Sequence, residues 1–150
     1  MAARDTHEFF ESLSAVLKCI RSVAAQAYAT LDVGSAQAKF LRHIRRHSRI
    51  SQAELARATQ TAPTLTGRAL ETLIERGWVR RERSAEDGRQ YLLELTASGQ
   101  RASERVEAAR EGIIERMATV LDERDLEDFA RISKKLLEEF EDGANPGLKP

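Results

Sequence analysis

The side chains with the clearest chemical purpose in this chain are hydrogen-bond donors, not nucleophiles. Thr61, Thr64, Thr66 and Arg68 stand close together with Gly67 among them, and Arg83, Asp87 and Arg89 follow a short way on. Hydroxyls and guanidinium groups at such spacing suit a partner that presents base edges and phosphates. Arginine pairs bidentately with guanine, a contact worth about 1–3 kcal/mol of discrimination. Thr64, Thr66 and Arg68 are therefore the expected base-edge or groove contacts. Thr61 and the neighbouring first-turn amides are expected to hold phosphate. The chain offers no Ser/His/Asp set, no Gly-rich phosphate loop and no acid pair at a strand end, so neither an enzyme nor a cofactor is expected.

The elements that must position these groups run from Ser51 to Gly99. Ser51-Gln52-Ala53-Glu54 reads as a capping box that opens a short helix ending near Thr59. Thr61 reads as the N-cap of a second helix, with Pro63 in its first turn and Gly77 after its end. Leu65, Ala69, Leu70, Leu73 and Ile74 are expected to face a core. Trp78 to Arg83 and Gln90 to Leu95 follow the two-residue period of strands. Between them Asp87-Gly88 suits positive φ. The order is a helix-turn-helix followed by a β-wing, with Arg83 and Arg89 at the hairpin tip. Arg89 suits a minor groove and Arg83 a phosphate backbone. Arg49-Ile50 has the right place to add a short strand to the wing.

These residues also carry a resemblance. Ala53-Glu54-Leu55-Ala56, Leu73-Ile74-Glu75-Arg76-Gly77-Trp78-Val79, Arg81, Asp87-Gly88-Arg89 and Leu95-Thr96-Ala97-Ser98-Gly99 together resemble the winged helix of the MarR family of bacterial transcription regulators. The resemblance implies a homodimer on a pseudo-palindromic operator of double-stranded DNA, released by a small ligand or an oxidant. It also implies that Arg89 is the minor-groove arginine, oriented by Asp87, which can instead serve Arg81. Gly67 departs from the pattern, since the family usually keeps a larger residue there. Glycine at that place costs about 1 kcal/mol of helix propensity and admits a close backbone approach to DNA.

Bulk composition sets the frame. The chain has 150 residues, enough for one domain or one core with helical extensions, and 41% of them are hydrophobic. No apolar run is long enough for a membrane span, and the N-terminus lacks the pattern of a signal peptide. A single cysteine, Cys19, excludes an internal disulfide, and a cytoplasmic location is the expectation. Net charge is zero but unevenly spread. Ser35 to Tyr91 holds twelve Lys and Arg against six Asp and Glu, whereas from Arg101 onward the count is nine against thirteen. The central part therefore has the cations a duplex needs.

Long amphipathic helices are expected on both sides of the wing. Asp5 to Leu31 repeats apolar residues at three- and four-residue steps, as do Thr96 to Leu121 and, capped by Asp122, Glu123 to Glu141. A further helix, Ala36 to His47 capped by Ser35, directs Phe40, Leu41 and Ile44 inward. The stripes of the long helices exceed what a small winged core can cover, which points to burial against a second copy. The expected fold class is mainly α with a small β-wing, a winged helix-turn-helix flanked by long dimerisation helices. Its parts are an N-terminal dimerisation helix over 1–34, a DNA-binding domain over 35–99, C-terminal dimerisation helices over 100–142 and a flexible tail over 143–150.

Three further sets of residues can act as switches. By the resemblance, a small aromatic or phenolic effector sits between the winged part and the dimer helices, with Arg42 or Arg45 meeting its carboxylate. Cys19 on the first helix is the candidate for a thiol sensor, for which it must be ionised and reachable. His43 and His47 stand at i and i+4, a chelating spacing, but zinc takes three or four ligands, so no metal site is assigned. The favoured reading is a homodimeric repressor. The alternatives are a cysteine-based redox sensor of the same fold and a winged-helix protein-interaction module without an operator.

Overall fold

The computed structural model describes residues 2–143. Nine elements follow one another: α1 (Ala2–Ala29), α2 (Ser35–Arg46), β1 (Ile50–Ser51), α3 (Gln52–Ala58), α4 (Pro63–Glu75), β2 (Val79–Arg83), β3 (Tyr91–Leu95), α5 (Ala97–Ala118) and α6 (Glu123–Gly143). The chain divides into two compact units, one as far as Ile113 and one from Ile114. The division falls later than the boundary expected after residue 99. The reason is that Gly99, Ala102, Ser103 and Val106 of α5 are buried in the first unit. Gly143 closes α6, and the rest of the expected tail lies outside the described residues. Among the described residues no helix is long and apolar enough to cross a membrane.

The first unit is built on one apolar core. Phe40, Leu41 and Ile44 of α2 meet Leu55 of α3, Leu70 and Leu73 of α4, Val79 and Leu93 of the sheet, and Val106 of α5, with Tyr28 joining from α1. The sheet is antiparallel in the order β1-β3-β2. Val79 faces Leu95 and Arg83 faces Tyr91, while Ile50 pairs with Leu93. The short strand expected at Arg49-Ile50 is thus present one residue later, and the Arg49 amide donates to the Leu93 carbonyl.

Local chemistry explains the helix starts. The Ser51 hydroxyl accepts from the Glu54 amide at 3.1 Å while Glu54 Oε2 accepts from the Ser51 amide at 2.8 Å. These bonds, the backbone one first, hold the Glu54 carboxyl below its ordinary value. Asp122 and Asp125 cap α6 in the same reciprocal manner. Thr96 accepts from the Gly99 amide and opens α5. Two expected caps are displaced by one residue. Gly34, not Ser35, precedes α2, and its amide donates to Gln37 Oε1. Ala62, not Thr61, precedes α4, because Pro63 forces an extended residue before it.

Apolar residues at the ends of the chain are treated differently. On α1, Phe9, Phe10, Val16 and Leu17 are exposed. In the second unit Val120, Leu126, Phe129, Leu137 and Phe140 are exposed as well, while Ile132 and Leu136 are half-buried. One copy of the chain leaves these stripes open.

Candidate nucleic-acid interface

Helix α4 carries the first group of candidates. Thr64 and Arg68 are exposed, as expected. No hydrogen bond or ion pair from the described residues reaches the Arg68 guanidinium; only its carbonyl is used, by Thr72. Thr66 is a correction. It is wholly buried, and its hydroxyl donates to the Ala62 carbonyl at 3.0 Å. A threonine can be buried in a helix because its hydroxyl finds a carbonyl four residues back. The inward phase of α4 is therefore set by Thr66, Leu70 and Leu73. Leu65, expected in the core, is turned out and is 57% exposed. Polarity alone assigns the two the wrong way round. The 66-70-73 spacing was the signal that could have found it.

Thr61 is half-buried and its hydroxyl is occupied. It accepts from Lys39 Nζ at 3.0 Å and from Thr59 Oγ1 at 3.1 Å. Lys39 also donates to the Thr59 carbonyl, so a cation of α2 pins the turn between α3 and α4. What that turn leaves open is the backbone, since the first amides of α4 have no partner within the helix. Gly67 is half-buried too. A β-carbon there would stand 3.7 Å from Gln52 Nε2, so the bare side of the helix is turned to α3.

The hairpin supplies the second group. Ser84 closes the tip by donating its amide to Gln90, and its hydroxyl accepts from the amides of Glu86 and Asp87. Gly77 is the only glycine with positive φ among the described residues, so the Asp87-Gly88 turn does not take the conformation expected of it. The loop is longer than a two-residue hairpin and needs no left-handed residue. Asp87 Oδ1 accepts from the Arg89 backbone amide at 3.0 Å. Asp87 thus orients the Arg89 main chain and not its guanidinium. It does not serve Arg81 either, which is taken by Glu71 at 2.8 Å and Gln52 at 3.1 Å. Arg83 lies over the Tyr91 ring at 5.5 Å, and Arg89 is exposed.

The base of the hairpin is closed by charge. Arg80 donates to Glu94 at 2.7 Å, and Arg49 reaches Glu94 at 3.2 Å. The Arg80 hydrogen bond holds the Glu94 carboxyl below its ordinary range, and Glu94 in turn raises Arg80. Arg76 stacks on Trp78 at 3.7 Å.

The switch candidates fall on α1 and α2. Arg42 is tied to Glu107 of α5 at 2.6 Å, whereas Arg45 is exposed. A cleft of about 230 Å³ runs beside Arg42, His43 and Arg46 under the α3–α4 turn. The His43 and His47 rings stand 4.6 Å apart. Burial, then the charges of His47 and Arg46, push His43 below its ordinary value. Cys19 is exposed on α1. Among the described residues no three His, Cys, Asp or Glu side chains gather as a metal site would require.

Helix-turn-helix, hairpin and the strand before them define a winged helix. Residues 31–90 match the model of the MarR family, so this segment of the chain is similar to a MarR-family winged helix. No match is found among curated proteins. Solved structures share the fold. A mutant MarR from E. coli complexed with operator DNA is 23% identical, with 87% of this chain and 94% of that one covered and a TM-score of 0.77. MarR from Staphylococcus aureus, in complex with salicylate and kanamycin, is 20% identical, with 90% and 91% covered and a TM-score of 0.80. A further MarR family transcription regulator is 17% identical, with 97% and 98% covered and a TM-score of 0.84.

Proposed function

We propose that this chain is a sequence-specific DNA-binding transcription regulator of the cytoplasm, acting as a homodimeric repressor on a pseudo-palindromic operator. The observation that carries the reading is the outer face of α4. Thr64 and Arg68 stand open there, with Arg68 left unpaired while the arginines at the base of the hairpin are all engaged. Such a face suits a major groove, and the exposed Arg83 and Arg89 suit the backbone or minor groove alongside. Thr61 contributes by fixing the turn, with phosphate left to the first-turn amides. The open apolar stripes of α1 and of the second unit supply the surface for a second copy.

A small anionic effector is the proposed release signal. Its carboxylate would compete with Glu107 for Arg42 or take the open Arg45. The fold shared with a salicylate-bound MarR supports that choice of ligand class.

The test is selection of bound duplexes from a random pool at two salt concentrations, with the mass of the complex measured. The expected product is a two-fold symmetric sequence with half-site centres about one helical turn apart, bound by two chains. Recovery of unenriched DNA, or a complex containing one chain, would refute the reading.

A further inference from the structure

We propose that Leu65 reads a thymine methyl group in the major groove, next to a guanine read by Arg68. The inference rests on the operator-binding reading above and adds a specificity residue to it. Leu65 is a large apolar side chain left 57% exposed on the first turn of α4, between Thr64 and the turn that carries Arg68. The groove beside it is lined by Lys39, Thr61, Arg68 and Thr72 and includes no carboxylate. A cationic, hydroxyl-bearing rim around one leucine fits a polyanion that also offers an apolar point. In the major groove of duplex DNA the 5-methyl group of thymine is that point.

Spacing extends the assignment. Leu65 and Arg68 are three apart on one helix, so their β-carbons stand about 5–6 Å from each other. Base pairs rise about 3.4 Å per step. The thymine and the guanine therefore lie one or two base pairs apart in each half-site. An acidic peptide would be the corresponding partner of a protein-interaction surface with this lining, and binding to such a peptide would show no sensitivity to a thymine methyl group.

The experiment starts from the selected operator and replaces each thymine by uracil, which removes the methyl group and nothing else. One thymine per half-site should be sensitive, and its replacement should weaken wild-type binding about fourfold. The Leu65→Ala protein should bind both operators with equal affinity, and its melting temperature should match the wild type because the side chain is exposed. If every uracil operator binds wild type as the thymine operator does, the Leu65 assignment is overturned while operator binding stands. If the Leu65→Ala protein stays as sensitive as wild type, the methyl contact belongs to another side chain and the assignment is likewise overturned. If no sequence is selected at all, both readings fall.

Discussion

At the base of the hairpin, Arg80 and Arg49 meet Glu94, and Arg81 meets Glu71 and Gln52. At its tip, Arg83 has only a tyrosine beneath it, and Arg89 is exposed, positioned through its backbone by Asp87. Both ends carry arginines, three at the base and two at the tip, and they offer opposite things. A guanidinium already paired with carboxylate has little field left for phosphate, and freeing it costs the pair. The local excess of positive charge in the sequence therefore overstates the cations available to DNA. On α4 and the hairpin, the arginines that no carboxylate of the described residues claims are Arg68 on α4 and Arg83 and Arg89 at the tip.

The largest effect should come from loosening the base. A β-carbon at Gly99 would fall 1.9 Å from the Trp78 carbonyl oxygen, a backbone atom that cannot move aside. Gly99→Ala must push α5 away from the start of β2. Overpacking of this kind costs about 3 kcal/mol. In a chain of this size that lowers the melting temperature by roughly 6–12 °C. Thermal unfolding followed by circular dichroism measures it. A wild-type melting temperature would mean that α5 has another seat on the hairpin, and that the base is less fixed than its contacts imply.

The next effect contrasts the two ends directly. Arg89→Ala should weaken operator binding on the order of tenfold and reduce the salt slope by about one, with stability unchanged. Arg80→Ala, at the base, should change affinity by less than twofold. Fluorescence anisotropy over a salt series reads both. Equal losses from the two variants would erase the distinction between claimed and unclaimed arginines.

Much of this was legible in the sequence. Ser51 with Glu54 and Asp122 with Asp125 announce helix starts because reciprocal capping is local chemistry, settled within four residues. The strand pair was legible in part, since Leu93 and Leu95 flank Glu94 at the two-residue period whereas Val79 is followed by the four charged residues Arg80 to Arg83. Partner choice was not. That Arg81 turns to Glu71 and Gln52 instead of Asp87 depends on how α3 and α4 pack on the sheet, and no short-range pattern encodes it. The exchange of Leu65 and Thr66 misled for a related reason. A threonine hydroxyl satisfied by its own helix can be buried as readily as a leucine, so polarity stops reporting the buried face. The displaced cap at Ala62 shows a contest that Pro63 decides, while Thr61 is drawn to Lys39.

The smallest expected effect concerns acid. The Glu94 carboxyl is held below its ordinary value of 4.5, first by the Arg80 hydrogen bond and then by the charges of Arg80 and Arg49. A carboxyl with a lower pKa in the folded state than in the unfolded state binds fewer protons when folded. Acid therefore favours unfolding through this group. Its stabilising contribution is complete above the unfolded value and is lost as pH falls through the folded one. Glu94→Gln keeps the shape and removes the titration. Urea midpoints measured from roughly pH 6 down to pH 3 should fall less steeply for the variant than for wild type, with the two slopes m alike. Glu54, also held below its ordinary value by Ser51, titrates in both proteins and cancels in the difference. Parallel pH curves for wild type and Glu94→Gln would show that the base is held by packing alone. The contrast between a charge-locked base and an open tip would then rest on geometry and not on electrostatics.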